Sequence, residues 1–144
     1  MDMTTPLSHL PQLLQNMRPM LHDGVYVFVT LGAGEEADGL EPVATFREGE
    51  GMTMIIEEGL ALRAGLQPLF RASWITLQVH SDLQAVGLTA VVATALAGAG
   101  ISCNVVAAAF HDHLFVPVEK AQAALTVLQQ LQGRSQATAA AGPA

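Results

Sequence analysis

The residues best equipped for chemistry are the five histidines, one cysteine and a handful of acids. His111-Asp112-His113 sets two imidazoles around a carboxylate, the residue types of a metal centre or an acid–base pair. A zinc site needs three or four ligands and partners that orient them. Imidazoles at a tight turn between two strands need not converge, so the expectation is a solvated turn and no metal. His80 ends a different strand, and His9 and His22 have no partner at ligand spacing. Cys103 lies mid-strand in an apolar run, where a thiol behaves as a small buried hydrophobe. There is no G-x-S-x-G motif, and Ser81 reads better as a helix cap than as a nucleophile. Glu35-Glu36 and Glu57-Glu58 are sequence neighbours, which do not face each other on a helix. The expectation is a protein that is not an enzyme, with no catalytic residue and no cofactor.

Glycine gives a better lead. Gly87 follows a strand and falls in the first turns of the next helix. A helical glycine costs about 1 kcal/mol against alanine, so its place there needs a reason. Close approach of a ligand is one, and tight packing of the helix on a sheet is another. The strand-to-helix turn also points free N–H groups and a positive dipole end outward, ready for a carboxylate or phosphate. Gly32 and Gly34 follow an earlier strand and read as a flexible loop.

The elements that must carry these residues are legible in the pattern. Leu7, Leu10, Leu13, Leu14 and Met17 recur at helical spacing, with Ser8 as cap and Pro19 as stop. Residues 25–31, 43–47 and 52–56 read as strands, the last two joined by a hairpin at Glu48-Gly49-Glu50-Gly51. Residues 57–64 fit two helical turns closed by Gly65. Residues 71–80 alternate: Ile75, Leu77 and Val79 face one way, and Trp74, Thr76, Gln78 and His80 the other. Ser81 with Gln84 fits a capping box for a helix to about Ala99. Residues 101–110 form a strand, His111-Asp112 turns, and residues 113–116 pair back. A last helix carries Leu125, Leu128 and Leu131, and GRSQATAAAGPA frays after it. The second half is thus strand, helix, strand, strand, helix, a ferredoxin-like order that lacks its final strand. A strand from the first half can fill the vacancy.

Composition bounds the function. The chain has 144 residues, 51% hydrophobic and 13% charged, against a usual charged share of roughly 25%. That excludes disorder for most of it. A net charge of -7 repels phosphate backbones and leaves no basic patch for an anionic membrane. One cysteine excludes an internal disulfide and a Cys-based zinc site. MDMTTPLSHL has neither the basic nor the apolar region of a secretory signal, so the expected compartment is the cytosol. Residues 83–110 carry no charge over a span long enough for a bilayer. Gly98-Ala99-Gly100, Ser102-Cys103-Asn104 and the lack of flanking anchors favour a buried helix and strand instead.

The run Ala72-Ser73-Trp74-Ile75, Val79-His80-Ser81, residues 83–90 (LQAVGLTA), residues 96–105 (LAGAGISCNV) and His111-Asp112-His113-Leu114-Phe115-Val116-Pro117 resembles the ACT-domain family. Within it, the chain is similar to small bacterial tandem-ACT proteins of unassigned function. Glu48-Gly49-Glu50-Gly51-Met52-Thr53 resembles their first module, and the similarity spans residues 20–131. The resemblance implies an α+β fold of two βαββαβ-like modules, with antiparallel sheets and helices on one face. It divides the chain into an N-terminal helix (1–22), two modules (23–70 and 71–132) and a disordered tail (133–144). It also implies a non-enzymatic regulatory protein that binds an amino acid or other small effector at a module or subunit interface. The family's ligand turn maps onto Ser81, Asp82, Val86, Gly87, Leu88 and Thr89, and the following strand adds Asn104 and Val105. Asp82, Asn104 or Asp112 would accept from the ligand's ammonium. A structural or interaction module without ligand is the second reading, and a metal enzyme using His80, His111 and His113 the third. With so little charge, the chain is expected to form a homodimer or higher homo-oligomer, with Trp74, Thr76 and Gln78 as contact candidates.

Overall fold

The computed structural model describes residues 9–32, 34–35 and 38–141. The chain forms two compact units: a larger one from residues 1–22 and 74–144, and a smaller one from Asp23–Ser73. Strand β5, Phe70–Leu77, gives residues 70–73 to the smaller unit and 74–77 to the larger.

In the larger unit β5 is flanked by β1 (Pro19–Leu21) on one edge and β7 (Asp112–Pro117) on the other, with β6 (Asn104–Ala107) outermost. The β1–β5 and β6–β7 ladders are antiparallel. One face carries the helices α1 (Leu10–Gln15), α3 (Leu88–Gly98) and α4 (Ala121–Ala141). Ile75, Leu77 and Val79, as their alternation predicts, meet Leu88, Val92, Leu96, Ala124 and Leu128 in a closed core. Leu13 and Met17 join the same core from the N-terminal segment and are fully buried.

Here β1 fills the vacancy that the sequence leaves open. Its three residues are too short to read as a strand, and Pro19 reads as a helix stop. Proline is tolerated because it opens an edge strand, where one missing N–H breaks no ladder. Leu7 and Ser8, expected in the first helix, lie outside the described residues.

Three spans differ from expectation. The helix after β5 starts at Leu88, not at Ser81. The strand expected over residues 101–110 narrows to Asn104–Ala107, and Ala108 N–H donates to His111 O to close the turn before β7. The last helix runs on through Gly133 to Ala141, where composition suggests fraying. Gln132 and Gln136 both donate side-chain N–H to Gln15 O, which ties the extended helix to the end of α1.

In the smaller unit β2 (Tyr26–Leu31) lies between β4 (Gly51–Glu57) and residues 70–72 of β5, and β3 (Ala44–Glu48) forms the edge beside β4. Every ladder is antiparallel. Val27, Val29, Leu31, Met54 and Ile56 line one face, and Ala61 of α2 (Glu58–Arg63) covers it. The hairpin expected at residues 48–51 is present, pairing Glu48 with Gly51. Gly51 sits at φ +152, and a Cβ there would collide with the carbonyl oxygen of Leu31.

Candidate functional site

The turn from β5 into α3 shapes a concavity of about 90 Å³. Its course is set by Asp82, not by Ser81. The Asp82 carboxylate accepts from Gln84 N–H at 2.9 Å, and its carbonyl accepts from Ala85 N–H at 2.9 Å. The expected Ser81–Gln84 capping box is therefore not formed. Once Asp82 has taken the Gln84 amide, the backbone turns twice before a helix can begin. Ser81 Oγ instead donates to Asp82 O at 3.4 Å.

Gly87 ends the turn at φ +105, a left-handed conformation that favours glycine. It precedes the helix and is not inside it, which corrects the sequence reading. A Cβ at this position would come to 3.1 Å from Leu10 Cδ2, so α1 packs tightly over the turn. No side chain caps α3. The N–H groups of its first turn therefore lack an intrahelical partner and face the positive end of the helix dipole.

Of the nine candidate residues, Ser81, Asp82, Gly87, Leu88, Thr89 and Asp112 line this concavity together. Val86 belongs to the same turn but stands 83% exposed. Asn104 and Val105 lie on β6, opposite Phe115 and Leu114, and do not line the concavity. Ala107 of the same strand does, as do Leu83 and Ala85 of the turn. Register explains it: Ala107, not Asn104, is the residue paired with Asp112. Asp112 opens β7 and does not turn the chain, and its residue is only 7% exposed. Burial raises its carboxyl pKa above the usual value, and the His111 charge opposes that shift.

The histidines behave differently from the expected solvated turn. His111 Nδ1 lies 3.2 Å from Val79 O, and a carbonyl only accepts, so Nδ1 carries the proton. His113 takes the opposite form. Trp74 Nε1–H, which only donates, reaches His113 Nδ1 at 3.1 Å, so that nitrogen is bare. Thr76 Oγ1, 3.0 Å from the same nitrogen, must then donate to it. His22 Nε2, 2.6 Å from Thr76 Oγ1, is left to donate in turn. The His22 ring stacks on Trp74 at 3.6 Å and 10°. Burial lowers the His113 pKa below the usual value, and His111 and His22 push the same way. Trp74 and Thr76 are thus covered by His22 and His113, which removes them as subunit-contact candidates; Gln78 alone of that trio is exposed. The part played by His22 was invisible in the sequence, because its partners lie more than fifty positions away. Among the described residues no group of three His, Cys, Asp or Glu is arranged to hold a metal. Burial pushes the Cys103 thiol up to about 11, which leaves it un-ionised and inert.

The smaller unit offers two open concavities of about 260 and 300 Å³, sharing Leu31, Gly32, Glu48 and Gly51. Neither contains a residue of the candidate set.

Family models for the ACT domain match residues 5–73 and 70–130. A Vibrio cholerae protein of unknown function, named a possible transport protein, is 52% identical over 85% of this chain and 95% of that one, at TM-score 0.77. The chain belongs to the ACT-domain family. Its two modules follow in tandem, and the first match takes in α1, which the resemblance left outside. The α+β ferredoxin-like fold class is that of the family. An Agrobacterium tumefaciens protein shares the fold at 20% identity over 79% of this chain and 87% of that one, TM-score 0.58. The ligand-free regulatory subunit of Thermus thermophilus aspartate kinase shares it at 13% identity over 78% and 95%, TM-score 0.61. A search of curated proteins finds no match. ACT domains are regulatory ligand-binding modules, and no catalytic family matches here. Among the described residues no helix is long and apolar enough to cross a membrane.

Proposed function

We propose that this protein is a non-enzymatic effector-binding module, and that its ligand is an amino acid held at the turn between β5 and α3. The observation that carries the reading is the convergence of six candidate residues on one concavity, closed by the uncapped start of α3. The N–H groups of that first turn would take the ligand carboxylate, and Asp112 on the facing strand would take its ammonium. Val86 and Leu83, 83% and 65% exposed beside the concavity, support burial of this turn against a second copy of the chain. Ligand binding would then act by shifting the population of two assembly states, to the extent that its affinity differs between them. The cytosol is the compartment we assign to it.

A thermal-shift screen of the full chain against the twenty amino acids tests the reading. Ligand at a hundred times its dissociation constant adds about 2.7 kcal/mol, a shift of several degrees for a chain this size. The shift should vanish in Gly87→Val, whose fold is checked by circular dichroism. Leu83→Glu with Val86→Glu should lower the mass seen by light scattering. A screen with no response would favour an interaction module without ligand.

A further inference from the structure

Asp112 is the only ionisable side chain among the buried residues described. It shares a strand face with Leu114 and Val116, which lie in the core beneath the helices. Its own place on that face is at the end where the turn and the start of α3 leave the concavity. Among the described residues no donor hydrogen-bonds its carboxylate. Its oxygens keep contact with solvent through the concavity, since no fully buried side-chain oxygen among the described residues lacks a partner, and a ligand can therefore reach them. Asp82 also lines the concavity, but one of its oxygens is occupied by the Gln84 amide. No Lys, Arg or His lines it.

We infer that the concavity selects its ligand by charge: it takes a small amine through Asp112 and turns away compounds carrying a second negative charge. This deepens the effector-binding reading and rests on it. An ammonium supplies the donors that the Asp112 carboxylate lacks and forms a charge-assisted bond with it. The side chain of an acidic amino acid, or a phosphate, would meet two carboxylates, with only the His111 imidazole beside Asp112 to offset them. Glycine, alanine and serine fit this class; aspartate, glutamate and nucleotides do not.

Calorimetric titration of the full chain with four probes tests the inference. Alanine carries both groups, propionate lacks the ammonium, ethylamine lacks the carboxylate, and aspartate adds a second carboxylate. Alanine should bind most tightly, with propionate and aspartate at least about tenfold weaker and ethylamine retaining measurable binding. Asp112→Asn, which keeps the shape and removes the charge, should weaken alanine at least about tenfold and bring alanine and propionate level. Its melting profile without ligand reports that the variant folds. Propionate or aspartate binding as tightly as alanine, or alanine indifferent to Asp112→Asn, would overturn the charge selection while leaving the effector reading standing. No response to any amino acid would overturn both.

Discussion

The two units are built from the same strand-rich plan, yet they treat the end of a strand differently. In the larger unit β5 leads through a tight, hydrogen-bonded turn into an eleven-residue helix, and the turn encloses a small acidic concavity. In the smaller unit β2 leads into the glycine-rich stretch 32–40, where no helix forms among the described residues before β3. The concavities there are wider and open, and one of them is lined by Arg47 as well as acids. What separates them is a helix start. In the larger unit a turn sets the uncapped N–H groups of α3 beside a facing strand, and the smaller unit has no such arrangement among the described residues. The units also differ in how they bury apolar surface. One closes Leu-rich helices over a sheet, and the other covers a β-branched and Met-rich face with one two-turn helix.

The largest expected effect comes from the cores. Leu96→Ala removes a fully buried side chain beneath the helices and should cost about 3 kcal/mol in urea unfolding. Ile56→Val in the smaller unit removes one methylene and should cost about 1 kcal/mol. Equal costs would mean that the larger core relaxes into the cavity.

The glycine turns should rank the other way. Gly51→Ala forces a Cβ onto the Leu31 carbonyl, a backbone atom that cannot step aside, in addition to its φ of +152. Gly87→Ala meets only the tip of Leu10, which can rotate. Strained conformations cost of order 1–3 kcal/mol each, with Gly51 near the upper end and Gly87 near the lower. A larger loss at Gly87 would show that α1 is held rigidly over the turn.

The smallest effect is on pH dependence: both units lose stability toward acid, and the pH window separates them. His113 has a folded pKa below its unfolded value, so the unfolded chain binds more protons near that range. Its contribution is complete above about 6.5 and is lost as pH falls below that toward the lowered folded value. Protonated Nδ1 would oppose the Trp74 N–H and refuse the Thr76 proton, so Trp74 fluorescence should change in the same window. In the smaller unit the Arg71 hydrogen bond holds Glu58 below the usual carboxylate value. That contribution is present above the unfolded carboxylate pKa and fades at more acid pH, through the lowered value. His113→Gln should remove the first step and leave the second. A Trp74 signal flat between pH 7 and 5 would break the distinction.

Local pattern made much of this fold legible. Ile75, Leu77 and Val79 alternate because one face of β5 is buried, and the hairpin at 48–51 needs its glycine at the position the sequence gives it. What escaped was non-local or contested. β1 exists only because β5 offers it an edge. Ser81 and Gln84 have the spacing of a cap, but Asp82 between them competes for the same amide and wins. Six candidate residues meet at one concavity because five of them belong to a strand-to-helix turn and its helix start, contiguous in sequence. Asn104 stands away from the other candidates because the register of β6 against β7 decides which residue faces Asp112, and register is set by pairing.

The tie between residues 10–21 and their partners also orders events during synthesis. Leu13 and Met17 are made before the elements that bury them, because α3, β7 and α4 follow roughly 70–110 residues behind. At about 5–20 residues per second they wait some 5–20 seconds, apolar and uncovered. Apolar surface left uncovered in that interval is prone to aggregate. A circular permutant that begins at residue 67, ahead of β5, and runs on from α4 into residues 9–66 should fold with less aggregation than the natural order.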